Sequence, residues 1–589
     1  MNRDICDRRA FVKGMAGAFA FAPFAGAWAA EEKPYARIGV ITDTHVKETV
    51  ESCDRVRMAM ELFRAHGVGM VVNAGDIADR FCPAGYRAYR SVVDGVFPDA
   101  ATRPEELYVY AWHDAYAYKD FGRDTDKCWQ QAFAEVRGFL RSNEPYAEGV
   151  HCGIPYLVFP QFLDIDRYRE TIDRTAKAHP GKPILVFDHI PPGETVYNSW
   201  NWGDVRRTKV LRDYPQAIAV CGHVHGSLYA DNFIWQREFT VVNAGCLSTW
   251  GGLLSCSTPT RKPAFGALIL EFYPDRMIAR RYDVRDGSEI HPEAPWHVSL
   301  PYTARTAAYR REALVARTPV PQFAADARLE VSVEGPGFSG LRLRFPEAAG
   351  PDRAFLYRFV ASRRTAKGGW EPFARREAFG DFHVLPKLRT GRAEELFPPC
   401  YFDPDRDYLL SVYPLNAFGG SGRPLTATVR IPPASAESAG KTLFSCADPM
   451  KELSFADRTD ACVRADADGE FYRPLRKGGR FNRLVLPKGL FAGPSGTRFR
   501  VTVEAHLRQP AEGNLWSLKL VKPKSDLGAT ARMATPGGDS GRLMYVIDDF
   551  VKANDVRHDG DTYQVVFEWG DETCSLRLHS VWVERMGCA

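Results

Sequence analysis

The chain has 589 residues, of which 45% are hydrophobic, 12% aromatic and 25% charged, and its formal net charge at pH 7 is +4. This composition is that of a water-soluble globular protein and excludes wholesale disorder, and the small net charge provides no field for binding a polyanion. The length exceeds what a single hydrophobic core organises and predicts about three or four domains.

The N-terminal segment resembles an export signal. Asp7 to Lys13 reads D-R-R-A-F-V-K, Gly14 to Ala30 carries no charge, and Ala27-Trp28-Ala29 has the small-x-small pattern of a signal-peptidase site. Residues 1–30 are therefore predicted to be a twin-arginine-type signal peptide, and the protein to be periplasmic or extracellular. The alternative is a chance arginine pair ahead of an ordinary Sec signal or a membrane anchor. The other long uncharged run, Val241 to Thr260, contains many polar residues and is not predicted to span a membrane.

Short apolar runs alternate with amphipathic runs through the next part of the chain, which predicts an α/β domain over residues 31–300. The predicted strands are Ala36–Thr42, Gly69–Asn73, Leu107–Ala111, Tyr156–Phe159, Ile184–Phe187 and Ala217–Val220. The predicted helices are Arg55–Ala65, Ala84–Val92, Cys128–Arg141 and Ile165–Ala178.

After a predicted linker at residues 301–327, the pattern changes to alternating strands separated by Gly and Pro turns. Asp407 to Gly422 resembles the late strand and turn of fibronectin type III domains, with Tyr408 in the place of their corner tyrosine, so residues 328–434 are predicted to form such a β-sandwich. Residues 435–589 alternate again and predict a second β-sandwich of jelly-roll type. The pairing of the four cysteines in that last part stays open: Cys446, Cys462, Cys574 and Cys588.

Polar motifs follow the ends of the predicted strands of the α/β domain. In chain order they are T-D-T-H with Asp43 and His45, A-G-D-I-A-D with Asp76 and Asp79, W-H-D with His113 and Asp114, F-D-H-I-P-P with His189, and C-G-H-V-H-G with His223 and His225. Side chains at the carboxyl ends of neighbouring strands converge on one edge of a sheet, and mixed carboxylate and imidazole sets suit Zn, Mn or Fe. One such motif alone is more often a hydrogen-bonded loop, but the whole ordered set favours a metal site.

This ordered set resembles the signature of the calcineurin-like metallophosphoesterase family, which is D-x-H, G-D-x-x-D, G-N-H-D/E, H and G-H-x-H. The resemblance implies a four-layer α/β/β/α sandwich and one or two divalent transition-metal ions, either Mn, Fe or Zn. It implies that one ion is held by Asp43, His45, Asp76 and His225. It also implies that Asp76 is shared with a second ion, which His189 and His223 hold as well. It further implies that His113 assists the leaving group and that Asp114 orients its ring. The alternative for this last pair is a structural hydrogen bond in a loop.

Trp112 departs from the family pattern. The family has an asparagine before this histidine, and its carboxamide oxygen ligates the second metal, whereas an indole has no lone pair for a metal. One hypothesis is that the second site is weak or empty unless water, Asp79 or Asp114 compensates. Another is that Trp112 lines a substrate pocket with loop aromatics near other motifs, although these side chains are equally well explained as packing residues: Tyr116, Tyr197, Trp200, Trp202 and Trp250.

These observations predict an exported metal-dependent phosphoesterase that hydrolyses a phosphomonoester or phosphodiester, with a phosphate-ester small molecule or a glycan- or lipid-linked phosphate as substrate. The C-terminal domain is predicted to offer a carbohydrate contact. The alternative is a phosphoesterase-fold protein with weakened catalysis that binds carbohydrate or a surface. The chain shows no nucleic-acid signature and, after removal of the signal, no transmembrane span. It also lacks the glycine-rich loops of nucleotide-triphosphate and dinucleotide sites.

Overall fold

The structure is a computed structural model that describes residues 32–585 with internal gaps. The gaps are residues 48, 80–82, 116–132, 135, 139–143, 251–261, 264, 335–337, 339, 349–352, 398–400, 434–440, 454–460, 467–468, 475–481, 488–489, 491–496, 510–515, 522–529, 534–537, 551–563 and 569–574. The predicted signal peptide at residues 1–30, most of the predicted helix Cys128–Arg141 and the pocket candidate Tyr116 therefore lie outside the described residues.

Strands and helices alternate through the first part of the chain. The strands are β1 (Ala36–Ile41), β2 (Met70–Asn73), β3 (Glu105–Tyr108), β4 (Ala147–His151), β5 (Ile154–Val158), β6 (Ile184–Phe187), β7 (Ala217–Cys221), β8 (Ile234–Gln236), β9 (Thr240–Asn243), β10 (Thr249–Trp250), β11 (Lys262–Pro263), β12 (Gly266–Tyr273), β13 (Arg276–Asp283), β14 (Ser288–Ile290) and β15 (Trp296–Ser299). The helices are α1 (Val50–Ala65), α2 (Pro83–Val96), α3 (Trp112–Ala115), α4 (Ile165–Ala178), α5 (Ser199–Trp202) and α6 (Val205–Leu211). None of the helices within the described ranges combines the length and the apolar character needed to cross a bilayer.

The predicted elements that fall on described residues agree with the structure except at some boundaries. Helix α4 begins and ends at the predicted residues, whereas α1 begins at Val50 rather than Arg55. This earlier start is capped, because the Thr49 hydroxyl accepts a hydrogen bond from the Ser52 N–H (3.4 Å). Strand β3 ends at Tyr108, before the predicted end at Ala111. The apolar residues Val109–Ala111 are fully buried in a loop, so burial rather than strand pairing explains their composition.

Two sheets organise this region. The first has the order β14-β13-β12-β1-β2-β3, with β15 paired to β13. The second has the order β4-β5-β6-β7-β9-β8. Strands β1, β2 and β3 run parallel, as do β5, β6, β7 and β9. The antiparallel pairs join β12 to β1 and β13 to β12, β14 and β15 in the first sheet, and β4 to β5 and β8 to β9 in the second. Parallel strands place their carboxyl ends, and the loops that follow them, at one edge of the sheet.

Alternate residues of these strands enter different cores. Met70 and Val72 of β2 pack in one buried cluster with Leu185 and Phe187 of β6, so the two sheets face each other. The intervening residues turn outward, where those of the first sheet meet α1 and α2 and those of the second meet α4 and α6. The mixed α/β class predicted for this region is confirmed, and the shared cores give the layer order helix, sheet, sheet, helix.

The remaining described residues are rich in strands. They are α7 (Arg311–Arg317), β16 (Glu330–Glu334), β17 (Gly340–Pro346), β18 (Leu356–Arg364), β19 (Trp370–Phe379), β20 (Arg392–Phe397), β21 (Asp407–Leu415), β22 (Leu425–Arg430), β23 (Lys441–Cys446), α8 (Pro449–Glu452), β24 (Ala461–Asp466), β25 (Gly469–Pro474), β26 (Asn482–Val485), β27 (Arg498–Gln509), β28 (Trp516–Val521), β29 (Thr530–Met533), β30 (Gly538–Phe550), β31 (Gln564–Glu568) and β32 (Ser575–Arg585). Short 3₁₀ turns cover Asp231–Phe233, Ala304–Thr306 and Pro386–Leu388.

Strands β16 to β22, which we call the middle β-region, form two sheets with the orders β16-β17-β20 and β19-β18-β21-β22. Side chains of both sheets share one core, including Leu343 of the first and Phe359 and Leu410 of the second. The Tyr408 hydroxyl accepts a hydrogen bond from the Asp403 N–H (2.8 Å), which is the kind of contact that a corner tyrosine makes. The fibronectin type III-like assignment nevertheless stays a prediction.

The last part of the chain forms two further sheets, with the orders β24-β25-β32-β27-β30 and β26-β31-β28-β29, and β23 pairs with β32. The strand-rich character predicted from the alternating pattern is therefore confirmed for residues 435–589. Alternation alone gives no strand order. The jelly-roll type of this part stays a prediction.

Candidate metal centre

The candidate ligands lie at the carboxyl ends of four parallel strands. Asp43 and His45 follow β1, Asp76 follows β2, His189 follows β6, and the two histidines His223 and His225 follow β7. The first two strands belong to one sheet and the last two to the other, so the centre forms where the edges of the two facing sheets meet. Residues as far apart in the chain as Asp43 and His225 are brought together in this way.

One group of ligand atoms comes from Asp43, His45, Asp76 and His225, and all of these atoms lie within 4.8 Å of one another. Asp43 Oδ1 lies 3.0 Å from His225 Nε2, and the Nε2 atoms of His45 and His225 lie 3.1 Å apart. The other oxygen, Asp43 Oδ2, accepts hydrogen bonds from the His223 N–H (2.8 Å) and the Thr42 hydroxyl (2.8 Å). Asp43 is thereby held with one oxygen directed at the imidazoles.

A second group comes from Asp76, His189 and His223. Asp76 Oδ2 lies 3.1 Å from His189 Nε2, and His189 Nε2 lies 3.2 Å from His223 Nδ1. Asp76 therefore belongs to both groups. The geometry brings together all six residues that the sequence motifs single out as ligands.

The donor set fits a cation. His189 Nδ1 donates to the Ala74 carbonyl (2.9 Å) and His225 Nδ1 donates to the Thr249 carbonyl (2.7 Å), so the Nε2 atom of each ring faces the centre. Asp43 Oδ1 is buried and faces the Nε2 atoms of His225 (3.0 Å) and His189 (3.8 Å). Imidazole nitrogens that face one another beside a buried carboxylate oxygen are what a divalent ion stabilises. Divalent metal use is thus supported by the residues present.

The backbone at the centre adopts an uncommon conformation. Five of the six candidate ligands have positive φ, namely Asp43 (50°), His45 (41°), Asp76 (51°), His223 (69°) and His225 (42°). Asp and His enter this left-handed region more readily than most residues, and clusters of such residues are typical of functional sites. Gly222 is required for a different reason, since a Cβ there would lie 1.9 Å from Thr42 Oγ1 and 2.5 Å from Asp43 Oδ2.

The electrostatics keep the carboxylates ionised. Burial raises the pKa of Asp43, but His225 and His189 outweigh it and hold that pKa below its usual range. The pKa of Asp76 is also held well below its usual range, because His189 outweighs the effect of burial. Burial lowers the pKa of His189, yet Asp76 and Asp43 raise it to about 10. Burial, together with the neighbouring His189, lowers the pKa of His223 to about 3. A cation that binds here has to displace the proton of His189.

His113 stands beside both groups. Its backbone N–H donates to Asp76 Oδ1 (3.0 Å), and its ring meets that of His45 edge-on with 4.6 Å between centroids. Its Nδ1 lies 3.5 Å from Asp79 Oδ1, and its side chain is 35% exposed. Asp79 also lies 3.8 Å from His45 Nδ1 and 3.1 Å from Lys47 Nζ. The atoms of His45, Asp79 and His113 form a third ligand-type group, which sequence reasoning did not identify as such.

The predicted role of Asp114 needs a correction, because its carboxylate is used elsewhere. Asp114 Oδ1 accepts from the backbone N–H groups of Ile77 (3.0 Å) and Ala78 (3.3 Å) and from the Tyr86 hydroxyl. Asp114 Oδ2 accepts from the Ala111 N–H (3.0 Å). Burial and the nearby Asp76 raise the pKa of Asp114 to about 7. Asp114 thus fastens the His113 loop to the loop after β2, and Asp79 is the carboxylate that approaches the ring of His113.

Trp112 opens the single turn of α3, and its backbone is fixed from another strand end. The Trp112 N–H donates to Gln161 Oε1 (2.7 Å), and the Gln161 N–H donates to the Tyr110 carbonyl (2.9 Å). The indole lies against Phe162, with 5.6 Å between ring centroids. Gln161 therefore holds the turn that contains Trp112. The correspondence of Trp112 to the family's asparagine stays a prediction.

A buried ion pair lies next to His189 and connects α6 to the loops of the centre. Arg207 Nε lies 2.9 Å from Asp188 Oδ2, and their side chains are only 3% and 2% exposed. Arg207 Nη2 also donates to the Gln161 carbonyl (3.0 Å), which connects α6 to the loops that carry His189 and Trp112. The stretch Arg206–Arg212 is basic, and its sequence alone favours a solvated helix face. Arg207 is a buried exception, because its charge is matched by the residue before His189.

The aromatic pocket candidates are distributed unevenly. The Trp202 ring meets the His223 ring at 5.6 Å between centroids and is 46% exposed, so it borders the centre. Trp200 lies instead beneath Arg311, whose guanidinium carbon is 5.8 Å from the centroid of the Trp200 ring. Trp112 packs on Phe162. Only Trp202 among these three is seen to contact a candidate ligand.

Comparisons with known proteins agree with this geometry. The family model described as calcineurin-like phosphoesterase matches residues 36–227, which run from the start of β1 to just beyond His225. No curated protein matches the chain.

Several solved structures are similar to parts of the chain. A dimetal phosphatase from Danio rerio is 13% identical, with a TM-score of 0.30, and the match covers 46% of this chain and 100% of that one. A purple acid phosphatase from yellow lupin (Lupinus luteus) seeds is 12% identical, with a TM-score of 0.32, and covers 45% of this chain and 53% of its own. A β-glucuronidase from Bacteroides uniformis is 8% identical, with a TM-score of 0.20, and covers 94% and 66%. The family match and the geometry of the centre lead to one conclusion: the N-terminal region of the chain carries a calcineurin-like phosphoesterase domain.

Proposed function

We propose that the chain is an exported, metal-dependent phosphoesterase that hydrolyses a phosphomonoester or a phosphodiester. The position of Asp76 carries this proposal. Its Oδ2 faces His189 Nε2 (3.1 Å) on one side and His45 Nε2 (3.8 Å) on the other, while its Oδ1 accepts the N–H of His113 (3.0 Å). One carboxylate therefore joins both ligand groups to the residue best placed to assist a leaving group.

Each of the two ligand groups would bind one metal ion. Asp43, His45, Asp76 and His225 would hold one divalent ion, and Asp76, His189 and His223 would hold a second with fewer protein ligands. When bound, such ions supply Lewis-acid activation of water and neutralise charge on the phosphate oxygens. The candidate metals are Mn, Fe and Zn, which accept this mixture of carboxylate and imidazole.

His113 would donate a proton to the departing oxygen. Burial by itself lowers its pKa, but the carboxylates of Asp79 and Asp76 outweigh burial and raise it. The ring is held between Asp79 and His45 on one side and remains partly exposed, which leaves room for an ester to approach. A histidine whose pKa is raised stays protonated to higher pH, so it can donate a proton near neutral pH.

The decisive experiment measures metal per chain by elemental mass spectrometry, together with phosphoesterase activity, in the wild type and in Asp76→Asn. We expect one to two transition-metal ions in the wild type and loss of both metal and activity in the variant. Asp213→Asn, at an exposed position, is the matched control and should change neither. A wild-type chain that stays metal-free after Mn, Fe or Zn is supplied would contradict the proposal and favour a binding protein.

The export of the protein is inferred from the sequence alone, because the arginine pair Arg8 and Arg9 is followed by an uncharged run. Expression of the full chain in a bacterium should yield a protein in the periplasm or medium whose N-terminus lies near Ala30. Replacement of both arginines by lysine should retain the chain in the cytoplasm. Unchanged export of that double variant would point to an ordinary Sec signal instead.

A further inference from the structure

The segment Pro191–Asp204, which we call the aromatic loop, begins two residues after His189 and is closed at its neck. Gly193 N–H donates to the Asp204 carbonyl (3.1 Å), and Asp204 N–H donates to the Pro191 carbonyl (3.0 Å). Gly193 and Gly203 pack so closely that a Cβ on Gly203 would lie 2.7 Å from the Gly193 Cα. Inside the loop, the Ser199 hydroxyl accepts from the Thr195 N–H (2.7 Å). The loop is therefore built as a compact unit with its own internal bonds.

Three aromatic side chains of this loop reach three different parts of the molecule. Trp202 lies against His223 at the metal centre, and Trp200 lies beneath Arg311 at the start of α7. Tyr197 packs on Phe233, with 5.5 Å between ring centroids, and on Phe355 of the chain leading into β18, at 6.0 Å. The aromatic loop thus connects the candidate metal centre to the middle β-region.

The contact with the middle β-region is a continuous buried core rather than a surface touch. Phe355, Leu356, Phe382 and Leu415 belong to the same buried cluster as the strands that face each other in the α/β region. Asn232 adds a polar connection, because its carbonyl accepts the Tyr197 N–H (2.8 Å) and its Nδ2 donates to the Ala417 carbonyl (3.3 Å). Such packing fixes the position of the loop relative to the metal centre.

Trp202 is unusual among the tryptophans whose exposure the structure gives. It is 46% exposed, whereas Trp235 is 8% and Trp296 is 1% exposed. An indole that lies beside a candidate ligand and is nearly half exposed to solvent offers apolar ring surface to a group that binds there. Its backbone is fixed by the turn of α5, since the Trp202 N–H donates to the Asn198 carbonyl (3.0 Å).

We propose that Trp202 is a specificity residue that stacks on an aromatic group, aryl or nucleobase, in the leaving portion of the phosphate ester, and that the middle β-region positions it through Tyr197 and Phe355. This inference rests on the proposed phosphoesterase function and narrows its substrate class. The metal ligands and His113 recognise the phosphate and its oxygen, which all substrates share. Trp202 distinguishes among substrates by what lies beyond that oxygen.

The test measures binding of two non-hydrolysable probes, phenylphosphonate and methylphosphonate, to the metal-loaded full chain by calorimetry. We expect Trp202→Ala to weaken phenylphosphonate about 2- to 10-fold and to leave methylphosphonate unchanged, because a stacking contact contributes on that scale. Trp202→Phe should retain most of the affinity. Trp200→Ala, in the same loop but away from the centre, is the matched control and should not alter the ratio of the two affinities. Equal changes for both probes, or none, would overturn the inference.

A second pair of variants tests the part played by the middle β-region. Phe355→Ala should lower the preference for phenylphosphonate with unchanged metal content, whereas Phe373→Ala, in the core of the middle β-region, should not. An unaltered preference in a folded Phe355→Ala protein would overturn the positioning role. A cyclohexyl phosphonate that binds as well as phenylphosphonate would show that any ring suffices and would overturn the aromatic class. Failure of the phosphoesterase proposal is recognised separately, because the wild type would then bind neither metal nor methylphosphonate.

Discussion

Buried charges are arranged in opposite ways in the middle β-region and in the candidate metal centre. In the middle β-region the buried Arg376 lies against Glu395 (2.8 Å) and the buried Glu377 lies against Arg358 (2.8 Å). In the metal centre, imidazole nitrogens face one another at 3.1 and 3.2 Å around the buried carboxylates of Asp43 and Asp76. Opposite charges stabilise each other in the first arrangement, whereas nitrogens that face one another beside shared carboxylates in the second call for a cation.

The largest effect should follow from removing a ligand on the fuller side of the centre. His225→Ala takes away an imidazole whose Nε2 faces both Asp43 and His45. We expect loss of bound metal and a fall in kcat/KM of roughly 1,000-fold or more, since metal-based charge stabilisation contributes several kcal/mol. His297→Ala, an exposed histidine of the same region, is the control. Retained metal and activity in His225→Ala would break the contrast between the two regions.

A buried carboxyl of the middle β-region should affect stability without any link to metal. Burial raises the pKa of Glu347 from 4.5 to about 7, although the Tyr357 hydroxyl donates to it. The unfolded chain loses this proton near 4.5 and the folded chain near 7, so the free energy of unfolding falls as pH rises between these values and stays low above them. The loss is up to about 3 kcal/mol.

Glu347→Gln replaces the titrating carboxyl by an uncharged amide and so removes this source of pH dependence. Denaturant unfolding at pH 4.5 and pH 8 should show that the variant loses less stability over this range than the wild type does, with and without a chelator. Glu312→Gln, at an exposed position, should behave as the wild type. A difference that appears only in the presence of metal would tie Glu347 to the centre and contradict the separation of the two regions.

A smaller effect is expected for the residue that holds the Trp112 turn. Gln161→Leu removes the acceptor of the Trp112 N–H and should displace His113, which depends on the same turn. We expect kcat to fall about 10- to 100-fold for esters with poor leaving groups and less for p-nitrophenyl esters, because small misplacements of a catalytic group cost this much. Metal content should not change. Gln161→Glu keeps an acceptor oxygen and should recover most of the activity; metal loss in Gln161→Leu would instead make Gln161 a ligand.

The motifs were sufficient to predict which side chains come together at the centre but not what surrounds them. Asp43, His45, Asp76, His189, His223 and His225 were found because each follows an apolar strand that the sequence also reveals. Gln161 was not found, because it lies 49 residues from Trp112 and meets it only where the loop after β3 lies against the loop after β5. The burial of Arg207 could not be predicted for the same reason, since nothing in the sequence of a basic helix shows which arginine is buried against Asp188.

The difference between Asp114 and Asp79 shows the limit of adjacency in a sequence. Asp114 is next to His113 in the chain, yet the turn of α3 directs its carboxylate to the backbone of Ile77, Ala78 and Ala111. Asp79 lies 34 residues before His113 in the chain. It approaches the His113 ring because Asp114 binds the loop after β2, which carries Asp79. Neighbouring residues on one turn point in different directions, so the pairing of side chains has to come from the fold.

Asp79→Asn should give the smallest effect and the sharpest test of His113. Burial lowers the pKa of His113 while Asp79 and Asp76 raise it, so loss of the Asp79 charge should lower that pKa. The alkaline limb of the kcat profile for an ester with a poor leaving group should then move to lower pH, because protonated His113 is lost sooner as pH rises. Lys47→Met removes a cation from the same carboxylate and should not move the limb downward. An unchanged profile in Asp79→Asn would mean that another group donates the proton, and His113 would then be a structural neighbour of the centre.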